Sequence, residues 1–187
     1  FDQLKQRKDI TDSDLNFIKE NDLQIICQKT DFLGVNYYSR GVIRSNEISE
    51  SQNLPKNVEM GPETDFGWEV YPPGLYDLLV KLKKEYDVGT IFITENGCSY
   101  SDGPNEENKI KDQRRIDYHH SHLLEIQKAI DDGVDCMGYF AWSLMDNFEW
   151  AQGFSQRFGL VWVDFESLER TPKESYHWYK NYISNNK

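Results

Sequence analysis

Apolar residues along this chain fall into two kinds of run. DFLGVNYYS (31–39), TIFIT (90–94) and CMGYFAWS (136–143) are short, unbroken and rich in β-branched and aromatic residues, so each predicts a buried strand. Elsewhere the spacing is helical. Leu75, Leu78, Leu79, Leu82 and Tyr86 share one face behind a Pro-Pro-Gly start, and Ile116, Leu123, Ile126 and Ile130 mark a helix over roughly 112–132 that stops at Gly133. A first helix is expected from Thr11, where T-D-S-D forms a capping box and Ile10 and Leu15 occupy the staple positions, to about Asn21. RFGLVWVDF (157–165) reads as a small hairpin partner, and Thr171-Pro172-Lys173-Glu174 as the capped, Pro-led start of a last helix ending near Ile183. Continuous apolar strands near 32–38, 90–95 and 136–142, separated by loops and helices, predict parallel βα units covered on both faces, hence an α/β fold. No linker divides residues 1–187, so one domain is expected, and the long polar stretch holding Pro55, Gly61 and Pro62 reads as a functional or disordered loop.

Charge narrows the range of partners. The 187 residues carry a formal net charge of −11, with acidic residues scattered and no basic stripe, which argues against nucleic acid and anionic lipid. No apolar run reaches the ~20 residues that span a bilayer, and the start FDQLKQRKDI has no signal-peptide core, so no membrane is expected. Cys27, Cys98 and Cys136 are odd in number and widely spaced, which fits neither a disulfide framework nor a structural zinc site and leans towards a reducing, cytoplasmic setting. Aromatic residues make up 14% of the chain, five of them Trp, more than a core needs, so some rings are expected to line a ligand site.

In parallel α/β folds the loops at the C-terminal strand ends open on one side and gather the functional residues. The three ends here offer Asn36, Tyr37 and Tyr38; Thr94, Glu95 and Asn96; and Trp142 and Ser143 followed by LMDNFEWAQGFSQRF. Hydrogen-bonding groups beside flat apolar faces suit a polyol, whose hydroxyls need partners while its C–H face stacks on indole or phenol.

Three separated motifs, DFLGVNYYS, ITENG and WSLMDNFEWAQGFSQRFGLVWVDF with ERTPKESYHWYK, resemble the retaining β-glucosidase group, glycoside hydrolase family 1. The resemblance covers the C-terminal part of that family's (β/α)8 TIM barrel, about three βα units, and implies an incomplete barrel in this chain. It implies that Glu95 is the catalytic nucleophile, Tyr38 the phenol that hydrogen-bonds it, and Asn36 a neighbour in the same site. Trp142 resembles the platform under the glucosyl ring, Glu149 and Trp150 the pair that binds its outer hydroxyls, Phe158 a wall of that pocket and Trp68 the wall of the leaving-group site. Retaining glycosidases hold two carboxyl groups ~5–5.5 Å apart, one attacking the anomeric carbon and the other serving as acid and then base. A nucleophile on a rigid strand keeps that tolerance, and Gly97 lets the chain turn away at once.

The family's acid/base lies in an Asn-Glu-Pro tripeptide that does not occur in this sequence. The expectation is therefore a C-terminal fragment, inactive in isolation and inclined to self-associate or to pair with a complementary N-terminal half. The ligand that the resemblance implies is a β-glucoside or small oligosaccharide, with no nucleic acid and no membrane as partner. The phospho-sugar branch of the family carries Ser, Lys and Tyr where this chain has Glu149, Gln156 and Phe158, and a carboxylate would repel a phosphate dianion, so an unphosphorylated glucoside is expected. The alternatives are a 6-phospho-β-glucosidase and a non-catalytic carbohydrate-binding or degenerate protein. No cofactor and no metal are expected: His119 and His122 alone share a helix face, without a nearby acid to complete a set, and are read with His120 as surface or core-edge residues. The acidic run from Asp102 to Glu107 reads as a solvated loop.

Overall fold

The computed structural model describes residues 2–43 and 58–185, so Pro55 and most of the long polar stretch around it lie outside the described residues. The chain separates into two compact units, Phe1–Asp31 and Phe32–Lys187.

In the first unit α1 (Asp2–Gln6) is followed by a single 3-10 turn, Asp12–Leu15, and by α2 (Asp22–Ile26). The capping signal at Thr11 does form, since its backbone N–H and its hydroxyl both donate to Asp14 Oδ2 at 2.7 Å. The helix expected to run on to Asn21 does not. Neither the 3-10 turn nor α2 buries a side chain, and Phe17 is 75% exposed, so no amphipathic face is packed to offset the cost of propagating a helix.

The second unit contains β1 (Leu33–Asn36), α3 (Pro73–Glu85), β2 (Ile91–Asn96), α4 (Gln113–Asp131) and β3 (Cys136–Ala141). A hairpin of β4 (Val161–Val163) and β5 (Arg170–Pro172) and the closing helix α5 (Glu174–Asn185) follow. The sheet order is β1-β2-β3, with both pairs parallel. Thr171 and Pro172 belong to β5 rather than to the helix start, because Trp162 pairs with Thr171 across the hairpin and draws the segment into extended backbone.

Leu75 and Leu79 of α3 are completely buried against Val35, Ile91, Ile93 and Ile126, each contributing about 2 kcal/mol through the apolar surface removed from water. Among the described residues helices cover only this side of the sheet. Phe32 and Phe140 remain 51% and 57% exposed, so the expected cover on both faces is present on one. His119 and His122 are corrected outright: α4 packs against α3, α5 and β3, and both imidazoles are fully buried rather than at the surface.

β2 carries an irregularity at its tip. Val35 pairs with Ile93 and Asn36 with Glu95, while on the other side Ile93 pairs with Tyr139 and Asn96 with Ala141. One residue of β2 is therefore extra on both sides, a bulge that breaks the period of two: Ile93 and Asn96 are buried, whereas Thr94 and Glu95 between them are not.

Two buried ionic centres fasten the strand-tip loops. Arg115, with no exposed surface, gives Nε to Asp112 Oδ2 at 2.9 Å, Nη1 to the carbonyl of Cys98, and Nη2 to the carbonyls of Tyr100 and Arg157 at 3.1 and 3.0 Å. Asp112 also accepts from Ser175, at 2.9 Å from its N–H and 2.6 Å from its hydroxyl. Asp146 accepts from the Gly159 N–H at 2.9 Å, Lys173 Nζ at 3.1 Å and Arg157 Nη1 at 2.7 Å.

Removing one partner of such a pair leaves a buried, uncompensated charge. Arg115→Leu is expected to lower stability by about 3–5 kcal/mol, read by urea unfolding. A pH effect accompanies the second centre. Burial, then the positive charge of Arg115, depress the Lys173 amine from 10.5 to about 8, against the pull of Asp146. Between those values the unfolded chain holds the extra proton, so the Lys173 contribution to stability rises with pH from about 8 towards 10. Urea midpoints measured across that range are expected to rise in the unsubstituted chain and to flatten in Lys173→Met.

Candidate active site

The bulge turns Glu95 onto the open side of the sheet, level with the end of β1. Tyr38 Oη donates to Glu95 Oε2 at 2.6 Å, and the Tyr37 N–H donates to the Glu95 carbonyl at 2.9 Å, so side chain and backbone of the acid are both tied to the first strand tip. Burial, then the hydrogen bond to Glu95 and that residue's charge, raise the Tyr38 phenol far above its ordinary range and keep it a donor. Asn36 pairs with Glu95 across the strands and accepts from Thr94 Oγ1 at 2.6 Å.

From the third strand tip Trp142 donates its N–H to the Asn96 carbonyl at 2.8 Å. Gly97 has no left-handed φ; a Cβ there would overlap the Trp142 carbonyl, so glycine is required for close approach of the second and third tips rather than for a sharp turn. Glu149 belongs to the same neighbourhood. Burial and the charge of Glu95 raise its carboxyl pKa, while a hydrogen bond from the Trp142 side chain lowers it.

Aromatic rings close one side. Trp68 lies 5.2 Å from Tyr38 and 6.0 Å from Phe158 between ring centroids, and Phe158 meets Tyr38 edge-on at 6.1 Å. Phe66 joins them, 4.2 Å from Trp68. Phe66 lies at no strand end and so is not among the residues expected from the sequence; its cue there is the FGW triplet, in which Gly67 at φ +81° reverses the chain and brings the flanking rings together. Trp68 is steadied from both directions. Arg40 grips the buried carboxylate of Glu69 through Nε at 2.6 Å and Nη2 at 2.9 Å, and Asp65 accepts from the Ser101 N–H and hydroxyl at 2.7 Å each.

The structure therefore brings Asn36, Tyr38, Trp68, Glu95, Trp142, Glu149 and Phe158 together. Trp150 stands apart: it begins a 3-10 turn with φ +41° and the residue is 82% exposed. Among the described residues no group of three or more His, Cys, Asp or Glu could hold a metal ion, and no helix is long and apolar enough to cross a membrane.

Since the charge of Glu95 raises the Glu149 pKa, Glu95→Gln is expected to shift the Glu149 titration to lower pH. Carboxyl-carbon NMR of the two proteins reads the shift, and an unchanged Glu149 midpoint would show that the two acids do not sense each other.

A model of glycosyl hydrolase family 1 matches residues 1–187. The 1,4-β-D-glucan glucohydrolase of Thermotoga neapolitana is 44% identical over 169 residues, which covers 89% of this chain and 37% of that protein. A 6-phospho-β-galactosidase of Staphylococcus haemolyticus is 43% identical over 171 residues, 80% of this chain and 36% of that protein. Among solved structures, a family 1 β-glucosidase from Thermotoga maritima in complex with isofagomine lactam is similar with a TM-score of 0.80 at 42% identity, over 89% of this chain and 37% of that one. The chain thus spans little more than a third of the relatives it matches, and its three parallel strands are an incomplete stretch of their (β/α)8 barrel, its C-terminal portion. With the motifs, the sheet and the relatives in agreement, this chain belongs to glycosyl hydrolase family 1.

Proposed function

We propose that this chain is the C-terminal portion of a retaining β-glucosidase that acts on unphosphorylated β-glucosides, with Glu95 as nucleophile. The observation that carries the reading is the Tyr38–Glu95 hydrogen bond beside Trp68, Phe158, Trp142 and Glu149. Tyr38 occupies Oε2 and so leaves Oε1 to attack the anomeric carbon. The new bond joins Oε1 to that carbon as the bond to the aglycone oxygen breaks, and the departing oxygen takes a proton from a second carboxylic acid. Water then displaces Glu95, giving its proton to that same second group.

Glu69 is a poor candidate for the acid, because the bond from Arg40 and that from the Gly61 N–H hold its carboxyl below the ordinary range and keep it ionised. In this reading the acid comes from the remainder of the barrel, which also supplies partners for the open sheet. A groove of about 440 Å3 along β3 and α5, lined by Tyr139, Phe140, Leu144, Leu160, Tyr179 and Ile183, is the natural seat for that remainder. Trp142 serves as platform for the glucosyl ring, Glu149 and Asn36 as partners of its hydroxyls, and Phe158 and Trp68 as walls. The three thiols are free, which suits a reducing, cytoplasmic setting.

The phospho-sugar reading draws on the 43% identity to a 6-phospho-β-galactosidase. Against it, Gln156 is turned to Ser99, whose hydroxyl donates to Gln156 Oε1 at 2.8 Å, and Phe158 offers no polar group. Glu149 would repel a phosphate and instead accepts hydroxyl hydrogen bonds.

Two measurements test the proposal. A 2-fluoro-glucoside with an activated leaving group, given to the full-length protein that carries this chain, is expected to add its sugar mass to the peptide holding Glu95; labelling elsewhere, or none, overturns the assignment. The isolated chain is expected to release chromophore from an aryl β-glucoside at least ~10²-fold more slowly than a complete enzyme, since general acid assistance alone is worth ~10²–10⁴-fold. A rate equal to that of the complete protein would refute the need for a second half.

A further inference from the structure

Behind Glu95, on the helix side of the sheet, lies a chain of hydrogen bonds that no catalytic step uses. The carbonyls of Tyr37 and Tyr38 can only accept, and this fixes every proton in the chain. Asn96 Nδ2 donates to the Tyr37 carbonyl at 2.7 Å, which sets the amide's orientation. Tyr118 Oη donates to the Tyr38 carbonyl at 3.0 Å and accepts from Asn96 Nδ2 at 3.1 Å. Asn96 Oδ1 accepts from Tyr139 Oη at 2.7 Å. The single phenolic proton of Tyr139 being spent there, His119 Nδ1, 2.7 Å from Tyr139 Oη, must be the protonated nitrogen. Donation therefore runs one way, from His119 on α4 through Tyr139 on β3 and Asn96 on β2 to Tyr118 and the backbone of Tyr37 and Tyr38 just beyond β1. Asn96, His119 and Tyr118 are at most 1% exposed, so no water competes for these groups.

The two ends of the chain are informative. Asn96 is the residue after Glu95, immediately beyond the bulge; Tyr38, whose carbonyl ends the chain, is the residue whose hydroxyl holds Glu95. A bulged strand end has lost part of its regular ladder and with it part of what fixes its side-chain direction. We propose that His119, Tyr139, Asn96 and Tyr118 are positioning residues whose one-way relay locks the bulge and so holds Glu95 against Tyr38. The inference rests on the reading of Glu95 as nucleophile. Misplacing a reacting atom by about 1 Å costs on the order of 10²-fold in rate, so a loosened relay acts on the chemical step and leaves sugar binding largely alone.

The test uses the full-length protein that carries this chain. Tyr139→Phe deletes one hydroxyl at constant shape and is expected to lower kcat by roughly ten-fold or more with KM within about two-fold. His119→Gln, which keeps an N–H donor, is expected to retain more of kcat than His119→Leu, although both remove the imidazole. Unchanged kcat in Tyr139→Phe, an effect confined to KM, or equal loss in the two His119 variants overturns the relay. Failure of the fluoro-glucoside to label Glu95 in the unsubstituted protein overturns the nucleophile and the relay with it; intact labelling with unchanged kcat in Tyr139→Phe overturns the relay alone. Independently of activity, long-range proton–nitrogen NMR of the chain is expected to show His119 protonated on Nδ1, and the opposite tautomer would also overturn the relay.

Discussion

The strand tips are held in place by one fully buried guanidinium. Arg115 reaches backbone carbonyls on both sides of the site, Cys98 and Tyr100 after β2 and Arg157 and Phe158 before β4, while Asp112 balances its charge and binds the first turn of α5 through Ser175. Five planar donors in a fixed fork can satisfy several loops at once, which an apolar side chain of similar volume cannot. The loops could not otherwise be buried, since their carbonyls would lack partners. Asp146 repeats the logic with opposite sign, collecting Gly159, Lys173 and Arg157. Between them, these centres convert a long irregular excursion after β3 into a fixed wall.

That wall gives the chemistry its setting. Glu95 is exposed enough to meet a ligand yet is held by Tyr38 in front and by its neighbour Asn96 behind. The bulge sets the two roles: by placing Thr94 and Glu95 on the same side it turns the acid to the open face and puts the next residue, Asn96, on the buried one. Trp68 is steadied in a different way, through charge pairs on either side of it, Arg40 with Glu69 and Arg114 with Asp65. Rings supply area, and buried polar groups supply direction.

Much of this is legible in the sequence. The spacing of Leu75, Leu78, Leu79 and Leu82 marks α3, and the unbroken runs mark three strands, because helix and strand periods are local properties of a sequence. The strand-end residues Tyr38, Glu95 and Trp142 stand out because the C-terminal ends of parallel strands open on one side and because each lies in a motif that resembles the family. Where local signals competed with tertiary ones, the tertiary ones prevailed. The Thr11 cap forms but no helix follows, for want of a surface to bury. Pro172 joins a hairpin rather than starting a helix. His119 and His122, polar by composition, lie in the core because Tyr139 and the Tyr118 carbonyl meet their Nδ1 atoms.

The sequence by itself determined the three buried strands, the three long helices and their order, the family resemblance and which residues reach the strand ends, since each depends on neighbours within a few positions or on contiguous motifs. Only the tertiary structure decided that Asn96 faces inward while Glu95 faces out, that Arg115 and Lys173 are core residues, that Phe66 joins the aromatic wall and that Trp150 stays outside it. The physical reason is range. Arg115 meets a carbonyl 42 positions away and Tyr118 one 80 positions away, and a buried charge or amide is stable only where such distant partners arrive together, a condition no local pattern can encode.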